Sequence, residues 1–241
     1  MADTFTKDFK ACTAEALATF ALCFIGGGAI LTDAMMGDSG PGLLGIALAH
    51  GLVLSIAVTA TMNVSGGHIN PAVSIAMLVT GRIAPGRAVL YIVSQCAGAT
   101  VAGMLLLVMF RSLQTPDGQG VVEAVALGTP TINPQLSSTL AMIVEMCLTF
   151  LLVFAIFGTA VDPRHPNVGG FGIGLMVAVD ILVGGPLTGA AMNPARVLGT
   201  GLFSGAETFW PQHWVYWVGP CAGAVLGAVT YHYLILEKPK Q

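Results

Sequence analysis

Six stretches of the chain, 11–31, 43–62, 88–110, 138–161, 168–186 and 213–236, are apolar almost throughout, and their only formally charged side chains are Glu15, Glu145 and Asp180. A helix rises 1.5 Å per residue, so about 20 apolar residues cross a hydrocarbon layer about 30 Å thick. Charged residues make up 9% of the chain, against about 25% in soluble domains. Too few charges remain to coat a water-exposed surface, so lipid is the outer solvent. The formal charge of −3 is too small to recruit a nucleic acid or another polyanion. Lys7 and Lys10 ahead of the first apolar stretch imitate a signal peptide. The stretch is long enough to span, however, and no small-x-small cleavage site follows it, which predicts a first transmembrane helix. Cys12, Cys23, Cys96, Cys147 and Cys221 fall in apolar segments without metal-ligand spacing and read as small buried hydrophobes.

Two further apolar stretches, 70–80 and 193–203, have half the length needed to cross, and each begins with Asn-Pro-Ala. Six crossings put both termini on one side. That side carries Lys7, Lys10, Arg82, Arg87, Arg164, Lys238 and Lys240, and the other carries Arg111 and Arg196. The excess predicts cytoplasmic termini.

The halves resemble each other. Glu15-Ala-Leu-Ala-Thr19-Phe20 recurs as Glu145-Met-Cys-Leu-Thr149-Phe150, 130 residues on. Asn70-Pro71-Ala72 recurs as Asn193-Pro194-Ala195 after 123, and Cys96-Ala-Gly-Ala99 as Cys221-Ala-Gly-Ala224 after 125. We expect one transmembrane domain over 1–241, with repeats over about 11–110 and 138–236. Each repeat holds three crossings, an odd number, so the second is inverted, and the two short stretches approach from opposite faces to meet at the midplane. Asn caps a helix and Pro suits its first position, which by itself explains one Asn-Pro-Ala. A symmetric pair of them points to a site.

The motifs Ser65-Gly66-Gly67-His68-Ile69-Asn70-Pro71-Ala72 and Thr188-Gly189-Ala190-Ala191-Met192-Asn193-Pro194-Ala195-Arg196, with the paired Glu-x-x-x-Thr-Phe, resemble those of the aquaporin (major intrinsic protein) family. The resemblance spans the whole chain. It implies an all-α membrane protein with six transmembrane helices, two re-entrant half-helices and two inverted repeats. It also implies a homotetramer with one pore per copy, and a passive channel for water that excludes protons and ions, needing no cofactor or metal and catalysing nothing. Two half-helix N-termini, each worth about +0.5 elementary charge, face one point in the pore; aquaporins are a standing example of such exclusion. Asn70 and Asn193 offer amide donors to passing solutes. Glu15 and Glu145 read as acceptors for the loop N–H groups, which re-entrant backbone requires. His68 reads as a structural loop residue beside the pore.

The family's second constriction, carried over by spacing from the two motifs, falls on His50, Ile181, Ala190 and Arg196. This set departs from strict water channels and from glycerol facilitators and looks most like that of vacuolar, tonoplast-intrinsic aquaporins. A wider, less polar filter extends the expected solutes to ammonia, urea or hydrogen peroxide. Ala190 stands where some relatives carry a mercury-sensitive cysteine. Asp180 reads as a carboxyl hydrogen-bonded at a helix contact, and 111–137 as a long loop. Asp162-Pro163-Arg164 and the short N-terminus resemble bacterial members, which leads us to expect a bacterial inner membrane. The rivals are a proton-coupled transporter using the two glutamates as relays and a structural membrane protein with an occluded pore.

Overall fold

The computed structural model describes residues 2–164 and 166–237; Lys238 and Lys240, counted in the charge asymmetry, lie outside the described residues. The chain runs through α1 (Ala2–Met36), α2 (Gly42–Thr61), α3 (Pro71–Val79), α4 (Pro85–Phe110) and α5 (Val121–Ala124). It continues through α6 (Ser138–Ile156), α7 (Phe171–Thr188), α8 (Pro194–Gly201), α9 (Phe209–Gln212) and α10 (Val215–Leu234). Six of these are long helices at the expected spans, and α3 and α8 are the two half-length ones. The fold is all-α. Five of the long helices are long and apolar enough to cross a membrane by composition alone. The sixth, α10, is diluted by Tyr216, Trp217, Pro220, Tyr231, His232 and Tyr233.

The boundaries follow local chemistry. Each half-helix starts at an extended asparagine with proline at the first helical position, which supplies an acceptor and removes a donor that would lack a partner. Ser137 caps α6 by accepting from Leu140 N at 3.2 Å. At its C-terminus α6 widens into a π-turn, Phe157–Val161, that ends at Asp162. The stretch 111–137 is more ordered than its composition suggested. It contains α5 and a 3-10 turn, Ala126–Gly128, in which Ala126 and Leu127 take positive φ.

One face of the bundle gathers both chain ends. Arg87 Nε donates to Asp8 at 2.9 Å, Arg82 Nη2 lies 3.2 Å from His232 Nδ1, and Arg164 donates to Ile235 O at 3.1 Å. The opposite face holds the α1–α2 turn, where Gly42 N donates to Asp33 at 2.7 Å, and the 111–137 segment.

Glycine brings the helices together. A side chain at Gly98 would strike the Ala16 carbonyl on α1, and one at Gly223 the Met146 carbonyl on α6. Gly98 and Gly223 are 125 residues apart, and Ala16 and Met146 are 130 apart, so one close crossing is built twice. Between α2 and α7, Gly51 and Gly174 face each other's carbonyls, with the Gly51 position 2.6 Å from Gly174 O. Apolar side chains such as Leu17, Ile56, Val93, Val183 and Leu226 stay exposed around the bundle, as expected where lipid or another apolar surface covers them.

Candidate functional site: a lumen between two facing half-helices

The N-termini of α3 and α8 meet inside the bundle, and their asparagines are locked across the junction. Asn70 Oδ1 accepts from Ala72 N at 2.9 Å, and Asn70 Nδ2 donates to Met192 O on the other loop at 2.7 Å. Asn193 Oδ1 accepts from Ala195 N at 3.0 Å and Arg196 N at 3.4 Å, and Asn193 Nδ2 donates to Ile69 O at 3.0 Å. An amide carries two N–H groups, so each asparagine keeps one donor beyond its bond across the junction. Both residues line the central cavity. Pro71, Ala72, Pro194 and Ala195 are buried in the first turns beneath them. Ile69, Ala190 and Met192 hold positive φ, which costs a non-glycine residue about 1–3 kcal/mol and persists only where surrounding contacts impose it.

Two fully buried carboxylates impose it. Glu15 Oε1 accepts from Ser65 Oγ at 2.6 Å and His68 N at 2.9 Å. Its Oε2 accepts from Ile69 N at 2.6 Å and Gln95 Nε2 at 2.7 Å. Glu145 repeats the pattern with Thr188 Oγ1 at 2.6 Å, Ala191 N at 2.9 Å and Met192 N at 2.7 Å. Tyr91 donates to Ser65 O at 2.8 Å, and Tyr216 to Thr188 O at 2.9 Å. His68 lines the cavity with Nδ1 3.0 Å from Ser74 Oγ and its ring edge-on to Tyr91 at 5.2 Å.

The four residues of the expected filter come together. His50, Ile181, Ala190 and Arg196 all line the central cavity, and Ile181 and Arg196 also line a second one that opens toward the 111–137 segment. The second cavity is a roomy vestibule of about 420 Å³. The central cavity is only about 30 Å³, where one water needs roughly 10–15 Å³. A roomy mouth therefore adjoins a much smaller lumen. Arg196 Nη1 donates to Gly189 O at 3.2 Å and Ala190 O at 3.0 Å, which holds the guanidinium against the wall. His50 Nδ1 lies 2.8 Å from Ile46 O. A carbonyl has no proton to give, so Nδ1 carries the hydrogen and Nε2 is the bare acceptor; that Nε2 is buried without a partner. Leu54, Val58, Val73, Leu152, Ile156, Ile173 and Val177 form an apolar wall elsewhere.

Ser65 and Thr188, which open the two motifs, belong to the scaffold of the site, as do Tyr91, Tyr216 and Gln95, which lie outside them. The hydroxyls had a signal, since each precedes its motif asparagine by five residues. The tyrosines lie 125 apart, the offset of the Cys-Ala-Gly-Ala pair. Gln95 had none, because the corresponding position in the second half is Pro220. Asp180 departs from expectation: it is buried, and its Oδ2 lacks a hydrogen-bond partner.

With this geometry in hand, similarity to known proteins is specific. A family model described as major intrinsic protein matches residues 3–231. The probable aquaporin TIP3-2 of Arabidopsis thaliana is 42% identical, with 97% of this chain and 86% of that protein aligned. Aquaporin TIP4-4 of Zea mays is 41% identical over 95% of this chain and 88% of its own. The aquaglyceroporin from Plasmodium falciparum superposes with a TM-score of 0.81 at 25% identity, covering 95% of this chain and 97% of that one. The plant TIP-type relatives overturn the expectation of a bacterial inner membrane and point to a eukaryotic vacuolar membrane. The residues behind that expectation have a local explanation. Asp162 accepts from Arg164 N and Nε, both at 2.9 Å, and from Nη2 at 2.6 Å, so Asp162-Pro163-Arg164 closes its own turn. The chain belongs to the major intrinsic protein family of multi-pass membrane channels.

Proposed function

We propose that the chain conducts water in single file, admits ammonia, urea or hydrogen peroxide through a filter of His50, Ile181, Ala190 and Arg196, and rejects protons and ions at the junction of α3 and α8. The observation that carries this is the cross-locked asparagine pair, Asn70 to Met192 O and Asn193 to Ile69 O. Each asparagine is held with one N–H free at the point where two positive helix ends face each other. A water held there by two fixed donors turns its lone pairs to the wall and its hydrogens outward in both directions. It cannot accept a proton from one neighbour and pass one to the next. The guanidinium of Arg196 adds a second cation barrier where the vestibule narrows.

A passive mechanism fits the carboxylates better than a coupled one. Glu15 accepts four hydrogen bonds and Glu145 three, so both are tied to loop backbone and neither is free to shuttle protons. As the resemblance implies, four copies assemble, each with its own lumen, through the exposed apolar helix faces.

Stopped-flow osmotic shrinkage of proteoliposomes, run beside ammonia, glycerol and proton fluxes, tests the proposal. We expect water and ammonia permeabilities well above those of protein-free vesicles, with proton leak unchanged. Proton flux rising with water flux overturns the exclusion mechanism, and ammonia flux at the protein-free level removes the wider solute range.

A further inference from the structure

We propose that Gly26, on the first span, sets the bore of the filter by providing the notch into which the His50 ring is withdrawn. This rests on the filter assignment made above and identifies a residue that governs it from another helix.

Leu22 lines the central cavity and Ile30 lines the vestibule. They lie eight residues apart on α1, with Gly26 midway, so the three form one stripe facing the conduit. Gly26 is therefore level with the narrowing between the two cavities. A Cβ built on it would fall on the His50 imidazole, overlapping Nε2 and Cδ2 and lying 2.9 Å from Cε1. The other edge of the ring is fixed by the bond from Nδ1 to Ile46 O at 2.8 Å. Anchored at Nδ1 and seated against the glycine at Nε2, the ring lies in the wall with 1% of its surface exposed.

The inverted repeat provides an internal comparison. The position corresponding to Gly26, 130 residues on, is Ile156, and that corresponding to His50, 123 residues on, is Ile173; both line the cavity. One half uses two branched aliphatics of similar size, and the other a large polar ring beside no side chain at all. A polar ring at this level of the lumen has room only because position 26 is empty. A methyl group there must push the imidazole off its bond to Ile46 and toward the opposite wall at Ile181 and Ala190, since α1 carries Gly27 and Gly28 against Leu106 on its other flank.

The experiment is a double-substitution cycle in proteoliposomes, with water and ammonia permeabilities normalised to reconstituted protein. We expect Gly26→Ala to lower ammonia permeability about tenfold, the scale that overpacking by one methyl implies, and water permeability less. In a His50→Ala background, adding Gly26→Ala should change neither flux. Equal losses in both backgrounds, or no loss in either, overturn the proposal. If Gly26→Ala alone does not reconstitute, rescue of assembly by adding His50→Ala supports the contact and failure of rescue overturns it. The filter assignment is judged separately by His50→Ala alone: an unchanged ratio of ammonia to water permeability removes the filter role from His50, whatever the cycle shows.

Discussion

At the scale of single residues, the lumen sets one permanent charge against a mostly apolar wall. Arg196 is the only Lys, Arg, Asp or Glu among the described residues lining the central cavity. Replacing it with valine removes that charge and two wall-directed hydrogen bonds. We expect Arg196→Val to raise the permeability of small cations about tenfold, equivalent to about 1.4 kcal/mol of lost repulsion, in ion-flux measurements on reconstituted vesicles. The carboxylates behind the loops have a different task. Removing Glu145 strands three donors, and removing Glu15 also strands three, because the Ser65 hydroxyl can turn to Thr61 O at 3.4 Å, at about 1–3 kcal/mol for each buried donor left unpaired. Glu15→Ala and Glu145→Ala are therefore both expected to melt well below the parent in detergent, by similar amounts. No cysteine lines either cavity: Cys23 is buried, Cys147 is exposed, and Cys12, Cys96 and Cys221 are half-buried. Mercurials at micromolar levels should reduce osmotic shrinkage little.

At the scale of elements, asparagine caps and glycine crossings decide whether half-helices and spans assemble. Asn70→Ala loses a cap worth about 1 kcal/mol, together with the bond to Met192 O. Both water flux and thermal stability are expected to fall. Gly98→Val drives a branched side chain into the Ala16 carbonyl, and Gly223→Val does the same at Met146. Both should reduce the yield of folded protein on size exclusion, whereas Gly118→Val, facing open space, should lower it less despite its positive φ. At the turn after α6, three hydrogen bonds from Arg164 hold the Asp162 carboxyl well below the usual carboxylate range, and Tyr231 adds another at 3.1 Å. A depressed value stabilises the fold at every pH above the unfolded value of about 4 and is lost only as pH falls through the depressed one. Melting temperatures of the parent and Asp162→Asn should differ by a constant amount between about pH 5 and 8. A gap that shrinks across that interval counts against the pair.

These elements also show how far the sequence could be read. Spans and half-helices were legible because apolar runs and Asn-Pro-Ala are dictated by lipid and by helix capping. The supporting carboxylates were legible because a charge inside a span needs a reason. Gln95, Tyr91 and Tyr216 were not, because a side chain that meets a loop from another helix leaves no local period. Gly26 was hidden for the opposite reason: among 31 glycines, the one beside an imidazole is indistinguishable from those that bring helices together. Asp162-Pro163-Arg164 is a poor guide to origin, since the plant relatives contradict the bacterial membrane it suggests.

For the whole molecule, the inverted repeat couples halves that are far apart in sequence. Asn70 is completed by Met192, 122 residues later, and Asn193 by Ile69. Each asparagine caps its own half-helix but reaches the other loop for its second bond. While the chain is being made, insertion of the first three spans alone therefore leaves one capped stub and no conduit. The aperture needs both stubs, reaching the junction from opposite sides, so the first half of the chain encloses no hole by itself.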